Sequence, residues 1–500
     1  MTDFFKKHTL ITGTLLLTMT GFLTRFLGFF YRIFLSRTIG AEGLGLYNMV
    51  HPIYGICFAL CAGSIQTAVS RFVAANIKRG KAVFRTGLCI SLSTAILLAF
   101  LIYQFASPLA SFVLLEKRCA PLLPFMAVSV PFSAIHACIN GYYYGIQKTR
   151  VPALSQVIEQ VIRMGAVFLI ADILTESGRE ITVQLAVLGH LIGEMASCLY
   201  TVLAFGFHSA KQPADHNSTI WKDFFATASP LMTLALPLMG NRLVLNVLSS
   251  AEAIWIPNRL NAFGMTSSES FSIYGVLTGM ALPFILFPST ITNSMAVILL
   301  PTVAEAQSAG NEKRIAGTIS MSLRYSLYMG ILCIGLFTLF GNALGTSVFH
   351  DENAGVFIRT LAWLCPFLYL ATTLGSILNG LGRTSTTFAQ NVTALVVRLC
   401  FVLVGIPRFG ITAYLWGMLV SELLLALLHL FSLKKLVSFS WNAWQMILKP
   451  TILLLMSIGI YYAAAPFLPF GQMHVFLKTS LEILLVSGLY GSFLLLFHVV

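Results

Sequence analysis

Fourteen apolar stretches follow one another along this chain with little between them, at roughly 9–35, 44–74, 83–105, 121–144, 152–173, 183–207, 223–250, 270–303, 319–341, 357–380, 386–405, 411–433, 449–466 and 477–499. Each is near the ~20 residues that a helix needs to cross a bilayer, and several have room to tilt. The pattern predicts an all-α integral membrane protein of fourteen transmembrane helices. Composition excludes a water-soluble fold, because 57% of the 500 residues are apolar and only 10% charged, against about 25% charged in soluble domains. The loops are short. The longest on the cytoplasmic side, around 208–222 and 304–318, cannot hold a catalytic domain.

A formal net charge of +13 would suit a nucleic-acid binder, but its distribution points elsewhere. With the N-terminus in the cytoplasm, sixteen Lys and Arg fall on that side of the spans, eight on the other and seven within them. Lys78, Arg79, Lys81 and Arg85 crowd one cytoplasmic loop, Lys211 and Lys222 another, and Lys434, Lys435 and Lys449 a third. This is the positive-inside bias. It predicts a multi-pass cell-membrane protein with both termini cytoplasmic and no nucleic-acid partner. Residues 1–7 are basic, but the apolar run after them is too long for a signal peptide and contains Arg25 and Arg32, so it reads as a retained first span.

The chain repeats itself. GIQKTRVPALSQVIEQVIR, ending at Arg163, aligns without a gap on GLGRTSTTFAQNVTALVVR, ending at Arg398. Gly145 then pairs with Gly380, Lys148 with Arg383, Thr149 with Thr384 and Gln156 with Asn391. Further on, GHLIGEMASCLY matches WGMLVSELLLAL and pairs Glu194 with Glu422. A weaker match sets Ser64, Ala74 and Gly80 against Ser294, Ala304 and Gly310. Spans 1–6 thus correspond to spans 7–12 in parallel orientation, a known transporter plan. The expected organisation is two pseudo-symmetric six-helix lobes, 1–222 and 223–440, plus two C-terminal helices in 441–500. Pro124, Pro131, Pro230, Pro237, Pro283 and Pro288 fall inside spans, where each removes a backbone donor and bends the helix. They read either as ordinary irregularity or as hinges.

A charge at the centre of a spanning helix costs at least ~2.5–3.5 kcal/mol, so charged residues there need a reason. Two groups separate. Arg163 and Glu194 lie at similar depth in adjacent antiparallel spans, as do Arg398 and Glu422, and Glu159 precedes Arg163 by one turn. These read as structural ion pairs, with a direct transport role as the other possibility. The second group has excess positive charge. Arg25 and Arg32 share one face of span 1. Arg242 sits deep in span 7, the repeat equivalent of span 1, with Asn241 before it and Asn246 one turn later. Such a seam suits an anion, because the guanidinium fork matches phosphate oxygens bidentately. Arg25, Arg32, Arg242, Asn241 and Asn246 are therefore the candidate substrate-binding residues. The competing readings pair Arg25 or Arg242 with carbonyls or with Glu252, and let Arg32 snorkel to the interface. Arg71 and Arg324, near cytoplasmic ends, read as interface anchors.

The sequence carries no GxSxG, HExxH or Walker A pattern, so an enzyme is not expected and neither is a cofactor. The nine cysteines show no metal-ligand spacing, and no histidine, His51, His136, His190 and His429 included, stands at useful spacing from a second ligand. No metal is expected.

Three stretches carry a resemblance: TRFLGFFYRIFLSRTIGAEGLGLYNMVHPIY at 24–54, PALSQVIEQVIR at 152–163, and YGVLTGMALPFILFPSTITNSMAVILLPTVAEAQSAGN at 274–311. They resemble, in order along essentially the whole chain, the stage V sporulation protein B family. That family belongs to the multidrug/oligosaccharidyl-lipid/polysaccharide exporter superfamily. The resemblance implies export or flipping of a lipid-linked saccharide of the undecaprenyl-pyrophosphate kind by alternating access, for spore cortex or envelope polysaccharide assembly. Within the superfamily, the span-1 pattern of the lipid II flippase is matched by Thr24, Arg25, Leu27 and Gly28. The resemblance therefore implies that Arg25 lines a cationic cavity. A second cavity arginine of that pattern falls on Tyr31, with Arg32 one place later. The implied partners are the lipid-linked substrate, membrane lipid and envelope-synthesis proteins. Two alternatives stand beside this reading. A cation-coupled multidrug exporter would want an intramembrane carboxylate, with Glu252 and Glu159 as candidates. A non-transporting scaffold of an envelope-synthesis complex would not need the seam arginines at all. A membrane glycosyltransferase lacks loop carboxylates to support it.

Overall fold

The structure is a computed structural model that describes residues 2–209, 220–467 and 473–497, and Lys211 of the expected basic loop lies outside them. The main helices are α1 (Thr2–Phe58), α2 (Ser64–Ala75), α3 (Gly80–Gln104), α4 (Leu123–Gly145), α5 (Arg150–Glu176), α6 (Val183–Ser209) and α7 (Ile220–Phe263). They continue with α8 (Ser267–Gly275), α9 (Ser289–Ser308), α10 (Glu312–Leu344), α11 (Cys365–Gly380), α12 (Thr384–Cys400), α13 (Ile411–Leu436), α14 (Lys449–Ala464) and α15 (Val475–Leu496). The described residues contain no strand. Hydrocarbon offers no partner to a free backbone group, so each segment closes its own hydrogen bonds.

Twelve helical stretches are long and apolar enough to cross a membrane, and the chain is a multi-pass helical membrane protein. Twelve differs from the expected fourteen in two places. The first two expected spans run on as one 60-residue stretch, Leu16–Ala75. Its break is at Gly40, whose φ of 71° favours glycine. The expected fifth span, α5, which carries Arg150, Glu159, Arg163, Asp172 and Glu176, is not among the twelve.

The chain divides into two compact units, Met1–Ile254 and Trp255–Val500. The sequence placed this boundary at 222/223. It falls later because α7 is one unbroken helix whose early residues Leu231 and Ala235 are buried with Ile65, Val69, Phe84 and Tyr142 of the first unit. In the second unit, Leu453 and Leu454 of α14 and Tyr490 and Leu494 of α15 pack on Tyr328 and Ile331 of α10. The Tyr490 hydroxyl donates to the Tyr328 carbonyl at 3.2 Å.

Close helix contacts rest on small residues, as they must where lipid supplies no hydrophobic drive. In the first unit α4 lies on α2: a Cβ on Gly141 would meet the Gln66 carbonyl oxygen at 2.7 Å, and one on Gly145 the Ser70 carbonyl oxygen at 2.8 Å. The second unit repeats the contact. A Cβ on Gly380, the repeat partner of Gly145, would meet the Leu300 carbonyl oxygen at 2.7 Å. One turn earlier Ser376 donates to the Ala296 carbonyl at 2.5 Å. The proline-rich eighth span is interrupted as its sequence requires. A widened turn at Val276–Ala281 precedes Leu282–Leu286, and the helix restarts at Ser289. Around the interruption Tyr369 donates to the Ile285 carbonyl at 3.3 Å and Ser289 to the Leu286 carbonyl at 2.6 Å.

Overpacking a filled contact costs about 1–3 kcal/mol. Gly141→Val and Gly380→Val are therefore each expected to lose about that much stability in detergent-solubilised unfolding. Gly459→Ala, at a position with open space, is expected to lose none.

Candidate functional site: charged groups within the spans

The candidate residues separate into an exposed cationic set and a buried network, both within the first unit. Arg25 on α1 is exposed, and no ion pair engages it among the described residues. Arg242 on α7 is exposed too. Its guanidinium donates to the Thr67 hydroxyl at 3.2 Å and lies directly over Gly63, where any side chain would collide with it. The glycine is thus part of the arginine's seat. A widened turn at Ala59–Gly63 leads into α2 and presents both Gly63 and Thr67. No carboxylate pairs with Arg242 among the described residues. Asn241 is exposed, and Asn246 is half-buried with its amide oxygen against Gly55. Glu252 is buried at 8% exposure.

Arg32 does not join this set. It is half-buried and lies within electrostatic reach of Tyr47 and Arg163, in the interior network. Tyr31 beside it is buried, its hydroxyl without a partner among the described residues. Seven residues place Arg25 and Arg32 on one helix face, but the helix passes from an exposed to an enclosed environment between them.

The interior network centres on Glu194 of α6. One of its oxygens accepts from the Tyr54 hydroxyl at 2.7 Å, and the other meets His136 Nε2 at 2.8 Å. His190, one turn earlier on the same helix, brings Nε2 to 3.9 Å from Glu194. Arg163 pairs with Glu159 one turn away on α5. The expected Arg163–Glu194 pair is therefore not formed. Glu159 supplies the arginine's counter-charge from its own helix, although Arg163 Nε is buried without a hydrogen-bond partner among the described residues, while α1 and α4 supply partners to Glu194. The expectation that no histidine meets a second ligand is also overturned. Ligand atoms of His136, Glu159 and Glu194 all lie within 4.8 Å of one another. No spacing rule within one helix could reveal this cluster, because the three residues stand on separate helices.

The second unit treats its equivalents differently. Arg398 and Glu422 lie 3.6 Å apart. Next to them is a cavity of about 400 Å³ lined by Thr372, Asn379, Thr387, Asn391, Glu422 and His429, among others. The 235-residue offset that pairs Gly145 with Gly380 explains the contrast. It places Ala371 where the first unit has His136, and Ala394 where it has Glu159. Ala371 lines the cavity, so the space that an imidazole fills in one unit is open in the other.

The chain is similar to known proteins along most of its length. Stage V sporulation protein B of Bacillus subtilis (strain 168) is 29% identical over 443 residues, covering 87% of this chain and 85% of that protein. Lipid II flippase MurJ of the same organism is 23% identical over 427 residues, covering 78% of this chain and 76% of its own. A solved structure of lipid II flippase MurJ, in an inward closed conformation, aligns with a TM-score of 0.72 at 17% identity, covering 96% of this chain and 99% of that one, and so has the same fold. Residues 10–307, more than half of the chain, match the polysaccharide biosynthesis protein family, and the chain belongs to that family.

Proposed function

We propose that this protein is a flippase that carries a lipid-linked saccharide of the undecaprenyl-pyrophosphate type across the cytoplasmic membrane by alternating access, for spore cortex or cell-envelope polysaccharide assembly. In this reading Leu16–Ala75 makes two passes and α5 a further one, which brings the twelve apolar stretches to fourteen spans. Both termini then lie in the cytoplasm, as the lysine and arginine bias requires.

One observation carries the reading: Arg25 and Arg242 are exposed on apolar helices, with no carboxylate to neutralise them among the described residues. An unpaired guanidinium facing acyl chains is costly, so these two face a wet, polar space. A pyrophosphate head group needs what they offer, namely fixed charge and paired N–H donors. Asn241 and Asn246 add neutral polar contacts for the sugar. The lipid tail stays in the bilayer. Family membership and the similarity to stage V sporulation protein B and to lipid II flippase MurJ support the substrate class.

A second reading, a cation-coupled drug exporter, draws on the buried carboxylates. Glu159 within the His136–Glu194 network is the stronger ion-coupling candidate, because it has company from three helices. Glu252 is the other. The two readings separate in proteoliposomes given either a defined lipid-linked sugar or a cationic dye. With the lipid-linked sugar, Arg25→Ala and Arg242→Ala are each expected to slow flipping about 10–100-fold, the value of one charge-assisted contact, while the protein still accumulates. Normal flipping by both variants removes the two arginines from the mechanism, and no flipping of the lipid-linked sugar by the unaltered protein overturns the flippase reading. If the network couples transport to protons, Glu159→Gln and Glu194→Gln abolish acceleration by an imposed pH gradient and leave the ungraded rate intact.

We assign the Arg398–Glu422 pair a structural role. The pair is half-buried beside a cavity, so breaking it costs about 1–3 kcal/mol because a partly desolvated charge is left behind. Arg398→Leu is expected to lose stability on that scale in thermal unfolding, and Arg398→Leu with Glu422→Leu to recover most of it.

A further inference from the structure

The second unit holds a cavity that none of the above uses. It has a volume of about 420 Å³ and lies between the first half of α10 and the non-helical link that follows α13. Arg324, Tyr325, Tyr328, Ser320, Ser438 and Ser440 supply its polar wall. The lining includes no carboxylate. Arg324 Nε is buried without a hydrogen-bond partner, and no ion pair engages this arginine among the described residues. A buried guanidinium N–H without an acceptor costs free energy until an acceptor arrives.

The surroundings fix what kind of acceptor fits. The Ser320 hydroxyl donates to the Ser440 carbonyl at 3.5 Å and the Tyr328 hydroxyl to the Gln445 carbonyl at 3.3 Å, so the link is tied to α10 on both sides of the arginine. Just beyond the cavity, Trp441 and Trp444 are 45% and 56% exposed, the behaviour of aromatic residues at a membrane–water interface. Lys434 and Lys435 end α13 directly before the link. Met321 and Phe439 supply apolar wall beside the polar one. A cationic, hydroxyl-rich pocket at interfacial depth, with an apolar side, matches a lipid head group.

We propose that this cavity is a binding site for the phosphate of a membrane lipid, with Arg324 as its charged ligand and Ser320, Ser438 and Ser440 as neighbouring polar groups. The site is separate from Arg25 and Arg242 and does not depend on what they carry. A polyprenyl monophosphate and an anionic phospholipid offer the same phosphate chemistry, so the experiment uses both. Purified full-length protein is titrated with phosphatidylglycerol, with a polyprenyl monophosphate, with inorganic phosphate and with a phosphate-free glycolipid, and tryptophan fluorescence is read, to which Trp441 and Trp444 report. At least one of the two lipid phosphates is expected to bind, about tenfold more weakly in Arg324→Ala and with intermediate loss in Arg324→Lys. Arg314→Ala, a surface change on the same helix, is expected to leave binding unchanged. Which lipid binds names the source. Equal binding by the phosphate-free glycolipid, unchanged binding in Arg324→Ala, or inorganic phosphate binding as well as the lipids overturns the proposal. Ser438→Trp, which fills the cavity from the exposed link and keeps the arginine, is expected to give the same loss and serves if Arg324→Ala does not accumulate.

Discussion

A guanidinium cannot be discharged in a membrane, so each arginine in a span must be given a counter-charge, a set of dipoles or water. That constraint orders most of what is distinctive in this protein. Arg163 takes Glu159 from its own helix, and Arg398 takes Glu422 from the neighbouring one. Arg242 takes a hydroxyl, from Thr67, and a seat cleared of side chains at Gly63. Arg25 takes nothing from the described protein. The first two have their counter-charge within the chain. The last two are complete only if water or an anion is present, and this separates arginines that hold the bundle together from arginines that serve a ligand.

Duplication supplied two copies of the same framework, and small substitutions made them different. The glycine contact of α4 on α2 recurs as α11 on α9, through Gly145 and Gly380 at equivalent positions. Within that shared frame, Ala371 and Ala394 replace the residue types of His136 and Glu159. Removing an imidazole and a carboxylate does two things at once. It opens a polar cavity beside Glu422, and it leaves Arg398 no acid on its own helix, so the arginine crosses to Glu422. The first unit kept the larger groups and built a closed network instead.

Some of this was legible in the sequence, and some could not have been. The all-helical membrane class follows from composition and run length, because a bilayer sets the length of each apolar run, whereas the number of spans does not, because the first run continues through Gly40. The repeat was readable from Gly145, Arg163 and their partners, since the packing constraints on small and charged residues survive divergence. The charged pairings were only half legible. Depth along a span predicts which residues can meet but not which rotamers win, and Arg163 had an acid at closer range than Glu194. The network of Tyr54, His136 and Glu194 was invisible, because it joins three helices at positions 54, 136 and 194 with no local pattern. The late boundary between the units was hidden for a similar reason. The repeat suggested a division before α7, whereas Leu231 and Ala235 pack that helix's first half into the first unit.

One backbone segment connects the two kinds of site. The end of α1 gives Tyr54 to Glu194, and the widened turn at Ala59–Gly63 follows within a few residues. Gly63 and Thr67 then form the seat of Arg242. Widened turns of this kind add a residue to the helix ladder and recur at functional sites, since they let the chain on either side adjust without unwinding. Coupling between sites requires an element whose arrangement both of them bias. The stretch from Tyr54 to Thr67 has the right connections. A change in what Glu194 holds acts on Tyr54 at one end, and a change in what Arg242 holds acts on Gly63 and Thr67 at the other. The physical cost of moving either is limited by a turn that is already irregular.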